Sequence, residues 1–112
     1  MQHLKESIRQ FCRERDWEQF HSPKNLAMGL SVEAAELLEI FQWLSEEQSR
    51  NLSPEQRQRV SEEVGDVLIF LVNLCDKLGL DPQACAMEKL QASAAKYPAE
   101  LVKGSARKYT AY

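Results

Sequence analysis

The sequence predicts an all-α fold: an antiparallel four-helix bundle, assembled as a homo-oligomer. Three observations carry this expectation. Apolar residues recur at helical spacing in four segments, the breakers Pro23, Pro54, Gly79, Pro82 and Pro98 separate those segments, and one segment is apolar almost all round. The length of 112 residues suits one domain over 1–112, with a basic tail from about 99 to 112.

The first helix is expected over about residues 4–15, with Leu4, Ile8, Phe11 and Cys12 on one face. Asp16 and Trp17 lead into a connection. Ser22 before Pro23 makes a good N-cap with proline at the first helical position, opening a second helix to about residue 44. Leu26, Leu30, Leu37, Phe41 and Leu44 form its buried stripe. The polar stretch 45–52 reads as a loop. Ser53-Pro54-Glu55-Gln56 has capping-box spacing and starts a third helix, which ends at Gly79. Its seam is Val60, Val64, Val67, Leu71, Leu74 and Leu78, alternately four and three apart as in a bundle core. Asp81-Pro82 caps a fourth helix to about residue 96. Tyr97-Pro98 stops it, because the residue before a proline is pushed out of the helical region. The tail beyond is expected to order only against a partner or ligand.

From Val67 to Leu74 the third helix is apolar almost all round and needs cover on every side. A domain of this size has few other elements to supply it. Packing of these helices across subunits is therefore expected, giving at least a dimer.

A net charge of -3, with both signs interspersed, offers no basic field to a nucleic-acid polymer or an anionic membrane. The start, Met1-Gln2-His3-Leu4-Lys5-Glu6, lacks the apolar core of a secretory signal. The longest apolar run, Val67-Leu68-Ile69-Phe70-Leu71-Val72, falls short of the ~20 residues that a bilayer span needs. A cytosolic protein is expected. Cys12, Cys75 and Cys85 are odd in number and widely spaced, so they read as core thiols rather than as a disulfide framework or zinc ligands.

Glu33 and Glu36 stand one turn apart on the second helix, and Glu63 and Asp66 one turn apart on the third. Either pair alone is weak evidence, since acidic residues at this spacing usually belong to a solvated face. Two features shift the balance. Like charges a turn apart cost a helix roughly 0.2–0.5 kcal/mol per pair, a cost that rises as the site is desolvated. Asp66 directly precedes the apolar run, and Glu33 lies between Leu30 and Leu37. Antiparallel packing would bring the four carboxylates together, and their repulsion demands protonation or a bound cation. Oxygen-only ligands suit magnesium, with manganese as a substitute, whereas a di-iron bundle uses Glu-x-x-His pairs that are absent here. Magnesium is commonly shared between carboxylates and phosphates, so the expected substrate is a phosphate ester or anhydride.

Trp17, Phe20 and His21 fall in the connection before the second helix, and Trp43 lies near that helix's end. Packing is the plain reading of Trp43. Trp17, in a connecting segment, offers a flat face on which a nucleobase can stack. Lys89 and Lys96 share a face of the fourth helix and could meet phosphates, although solvated lysines are commoner. There is no glycine-rich phosphate loop and no nucleophile elbow, so covalent catalysis has no candidate.

Several strings follow one another in a specific order: Arg15-Asp16-Trp17-Glu18-Gln19-Phe20-His21 with Pro23 and Asn25-Leu26, then Glu33-Ala34-Ala35-Glu36-Leu37 leading to Phe41-Gln42-Trp43. They continue with Glu62-Glu63-Val64-Gly65-Asp66-Val67-Leu68-Ile69, Lys89 through Lys96-Tyr97-Pro98, and Ser105-Ala106-Arg107-Lys108-Tyr109. With these the chain resembles the MazG-like all-α nucleotide pyrophosphohydrolases, and among them the dCTP pyrophosphatase branch. The resemblance covers nearly the whole chain. It implies that Glu33, Glu36, Glu63 and Asp66 hold magnesium and that a carboxylate orients or deprotonates water. It also implies that Trp17, Glu18, Gln19, Phe20, His21 and Trp43 enclose the base and sugar, with Phe70 facing the substrate. The implied reaction splits a nucleoside triphosphate between the α and β phosphates, releasing the monophosphate and pyrophosphate. Family members are oligomeric bundles, often tetramers.

Three positions depart from the family pattern. Val32 stands where many relatives have glutamate, which leaves the general base open among Glu33, Glu36 and a water held by the metal. Phe70 replaces a frequent tyrosine, and Ser93 an expected asparagine. Two rival readings stand beside dCTP hydrolysis: a pyrophosphatase for other or damaged nucleoside triphosphates, and a non-catalytic helical interaction module whose carboxylates are a solvated face.

Overall fold

The computed structural model describes residues 1–105, and every regular element among them is helical. Residues 106–112 of the basic tail, with the string Ala106-Arg107-Lys108-Tyr109, lie outside the described residues. Contacts gather the chain into two compact units, Met1–Gly79 and a second beginning at Leu80.

In the first unit, α1 spans Gln2–Glu14 and buries Ile8 and Cys12. It closes with Asp16 in the left-handed region, at φ 54. The Trp17 amide donates to the Cys12 carbonyl (2.9 Å) and the Asp16 amide to the Arg13 carbonyl (3.1 Å), the pair of bonds that ends a helix in a Schellman turn. Glycine is the common residue there. Asp16 takes its place with Gln19 Nε2 donating both to its carbonyl (2.9 Å) and to its carboxylate (3.1 Å). A short 3-10 turn, Glu18–Phe20, follows.

Helix α2 spans Pro23–Phe41, with Ser22 Oγ accepting from the Asn25 amide at 3.1 Å. It stops short of the expected residue 44. Leu26 is fully buried, while Leu30, Leu37, Phe41 and Leu44 are half-buried and Ile40 joins the interior. The stretch expected as a loop contains a further helix, α3, over Glu46–Arg50. Its reason is local: the Gln48 amide donates to Ser45 Oγ (3.1 Å) while the Ser45 amide donates to Gln48 Oε1 (2.9 Å), a complete capping box. Helix α4 spans Pro54–Leu78 between the same device at Ser53 and Gln56 and a left-handed Gly79.

Helix α4 packs most extensively against α2 and next against α1. Gly29 meets Phe70 and Glu36 meets Glu63, so position rises along one helix as it falls along the other; α2 and α4 are antiparallel. Ile8, Cys12 and Val72 form a core cluster, with Leu4 and Leu68 packed on it. Arg9 adds a fork to Asp76, Nε to Oδ2 at 2.7 Å and Nη2 to Oδ1 at 2.5 Å. The buried positions of α4 are Val72, Asn73 and Cys75, whereas Val64 and Leu78 of the expected seam are half exposed. Two partner helices set the buried face of α4, so it differs from a single stripe.

The second unit holds α5, Pro82–Lys96, with Asp81 Oδ1 accepting from the Gln83 amide at 3.0 Å, and a short helix α6, Ala99–Val102, that the sequence does not announce. None of the α5 residues is buried, so Cys85 is exposed and not the core thiol expected; Cys12 and Cys75 are buried. Among the described residues no helix is long and apolar enough to cross a membrane.

Candidate active site

The antiparallel register of α2 and α4 sets Glu33 and Glu36 opposite Glu63. One carboxylate oxygen from each lies within 4.8 Å of the others. Oxygens on opposite sides of a cation with magnesium-length bonds stand about 4 Å apart, so the triple has the dimensions of a small divalent site. Glu33 and Glu63 are half-buried and Glu36 is exposed. The Oε2 atoms of Glu33 and Glu63 are both buried without a hydrogen-bond partner, an arrangement that costs stability unless a proton or cation meets them.

The charge balance says the same. The Glu33 carboxyl is pushed up to about 7, first by burial, then by the close carboxyls of Glu36 and Glu63, and then by the charges of Glu36 and Asp66. Asp66 itself is outside the close triple. It is exposed and lines a neighbouring cavity, so the expected quartet is three converging carboxylates with a fourth beside them.

That cavity has a volume of about 410 Å³. Ile8, Phe11 and Cys12 of α1 form one wall, Trp17 and His21 of the connection another, and Asp66, Ile69, Phe70 and Asn73 of α4 a third. The Schellman turn aims Trp17: its ring meets Phe11 edge to face, with centroids 5.6 Å apart, and the Arg15 guanidinium stacks 3.8 Å from the Phe11 centroid. Phe70 can lie against α2 only because position 29 is glycine; a Cβ there would stand within 2.3 Å of the ring.

Of the residues singled out from the sequence, Trp17, His21, Phe70 and Asp66 line the cavity. Glu18, Gln19 and Phe20 are exposed on the 3-10 turn and do not line it. Trp43 is 87% exposed beyond the end of α2 and is not brought to the cavity. Lys89 and Lys96 are exposed on α5 in the second unit, with Ser93 half-buried on the same helix. Val32 is exposed on α2. Two features of the site, Gly29 behind Phe70 and Asn73 in the cavity wall, have no role assigned from the sequence. Gly29 gave no signal. Asn73 did, as the lone polar residue in an otherwise apolar run from Val67 to Cys75; it is only 6% exposed and its Nδ2 lies 3.3 Å from His21 Nδ1.

A family model, MazG-like, matches residues 29–111, and the chain belongs to the MazG-like family. Its relatives include dCTP pyrophosphatase 1 of Homo sapiens and of Bos taurus, each 42% identical over 103 residues. The matched region is 90% of this chain and 61% of each relative, so the chain spans about three-fifths of their length. Among solved structures, a pyrophosphatase from Archaeoglobus fulgidus is similar with a TM-score of 0.83 and 40% identity, over 88% of this chain and 92% of that one.

Proposed function

We propose that this chain hydrolyses a nucleoside triphosphate, dCTP or a modified dCTP, to the monophosphate and pyrophosphate, with magnesium held by Glu33, Glu36, Glu63 and Asp66. One observation carries the reading: two orphaned, buried carboxylate oxygens within a close acidic triple, beside an apolar and aromatic cavity. The similarity to dCTP pyrophosphatase 1 supports the substrate, and that to a pyrophosphatase of known structure supports the reaction.

The all-oxygen set and the unmet oxygens fit magnesium, and manganese as a substitute. When bound, the metal would neutralise the triphosphate and stabilise the charge that builds on its oxygens. The protein does the rest. Trp17, His21 and Phe70 wall the base, and the apolar lining excludes water from it. A carboxylate, Glu33 or Glu36, orients or deprotonates the attacking water. Lys89 and Lys96 meet the phosphates, and Glu18, Gln19 and Phe20 close around the nucleotide.

We also propose one MazG-like domain over 1–112, an antiparallel four-helix bundle assembled as a dimer or tetramer. The exposed apolar side chains of α2 (Met28, Val32, Leu38) and α4 (Val64, Ile69, Leu78) support assembly. Trp43, exposed beyond the end of α2, is assigned to the enclosure of the base and sugar in the same reading. A cytoplasmic enzyme that cleans the nucleotide pool is the role this suits. Calorimetric titration with magnesium and a non-hydrolysable dCTP analogue tests it: saturable heat that Glu63→Gln removes is expected, and no heat would leave a helical interaction module.

A further inference from the structure

The face of α4 that meets the cavity carries Asp66 at one end and Asn73 seven residues on. Seven residues are two helical turns, about 10 Å along the axis. A nucleotide with its phosphates at the carboxylates and its base in the cavity therefore points the base's far edge at Asn73. The cavity's walls are otherwise largely apolar, and Asn73 is 6% exposed, so its amide was taken from water for a reason other than solubility.

The amide is half satisfied and oriented. Nδ2 can only donate, so its 3.3 Å approach to His21 Nδ1 makes the ring nitrogen the acceptor. Asn73 lines the cavity, and with Nδ2 held by His21 the Oδ1 atom is the acceptor that the carboxamide can offer to a ligand there.

We propose that Asn73 is a specificity-determining residue, its Oδ1 accepting a hydrogen bond from the exocyclic amine of cytosine; this rests on the function proposed above. Uracil presents a carbonyl at the same place. Two acceptors would then face each other and Oδ1 would stay unpaired, a penalty through which a polar pocket rejects a near-isostere. His21 is the positioning residue, since without it the carboxamide is free to turn its NH₂ to the base.

The test is the ratio of kcat/KM for dCTP over dUTP, together with binding of dCMP and dUMP followed by NMR titration. The wild-type chain is expected to favour the cytosine compounds in both. Asn73→Leu should lower each preference about tenfold or more, and His21→Phe should lower it in the same direction. Asn73→Ser, with thermal melting of every variant, gives the same reading if the leucine variant does not fold. Turnover with no preference for dCTP, or a preference that the Asn73 variants retain, overturns the proposal while the pyrophosphatase reading stands. Failure to hydrolyse any triphosphate, with dCMP still favoured over dUMP through Asn73, overturns the pyrophosphatase reading and keeps the base contact.

Discussion

Asp76 takes both arms of the Arg9 guanidinium, and that hydrogen-bonded fork holds its carboxyl below the usual range against the opposing pull of burial. A depressed carboxyl stabilises the fold above its ordinary pKa and loses that contribution as pH falls through the folded-state value. Asp76→Asn is therefore expected to melt at a lower temperature at neutral pH, with the difference from wild type closing as the pH falls below the ordinary aspartate range; a difference independent of pH would contradict this. Glu33 is the opposite case. Its raised carboxyl contributes stability below the ordinary carboxylate range, and that contribution is lost as pH rises through about 7. The carboxylates were legible in the sequence because helical spacing puts each pair on one face. Asn73 was not, because its meaning depends on His21, 52 residues away.

Helix ends were legible for a local reason at the start of α2 and at both ends of α4 and α5, where a cap, a proline or a glycine stands; the ends of α1 and the end of α2 carry no such signal. The helix α3 carries the same Ser-x-x-Gln box as α4, but its five polar residues show no apolar period and so resemble a loop in the sequence. Tertiary contacts between elements were the illegible part. The α2–α4 pair turns on Gly29, where a methyl group would strike the Phe70 ring. Gly29→Ala should cost about 1–2 kcal/mol, the overpacking penalty outweighing the better helix propensity of alanine. It should also push the Phe70 ring and raise KM for the nucleotide. Chemical denaturation and steady-state kinetics check both; a stabilised variant with unchanged KM would show that Phe70 yields without consequence.

At the scale of the molecule, the sequence reading of an all-α chain agrees with the fold, and family membership follows from the match over residues 29–111. The continuous apolar character of α4 was legible as a demand for cover; which side chains remain exposed depends on how α1 and α2 divide the helix between them, and no single-helix period contains that information. Light scattering at micromolar concentration should give at least twice the mass of one chain, and a monomeric mass would contradict assembly through α2 and α4.

The Glu33, Glu36 and Glu63 cluster with Asp66 is proposed to drive cleavage between the α and β phosphates. Phosphorus NMR of dCTP incubated with magnesium and the protein tests it in one spectrum. Equal amounts of dCMP and pyrophosphate are expected, with turnover abolished in Glu63→Gln while its helical signal and melting are retained. Release of inorganic phosphate with dCDP, or an unimpaired Glu63→Gln, would show that the cluster does not drive this cleavage.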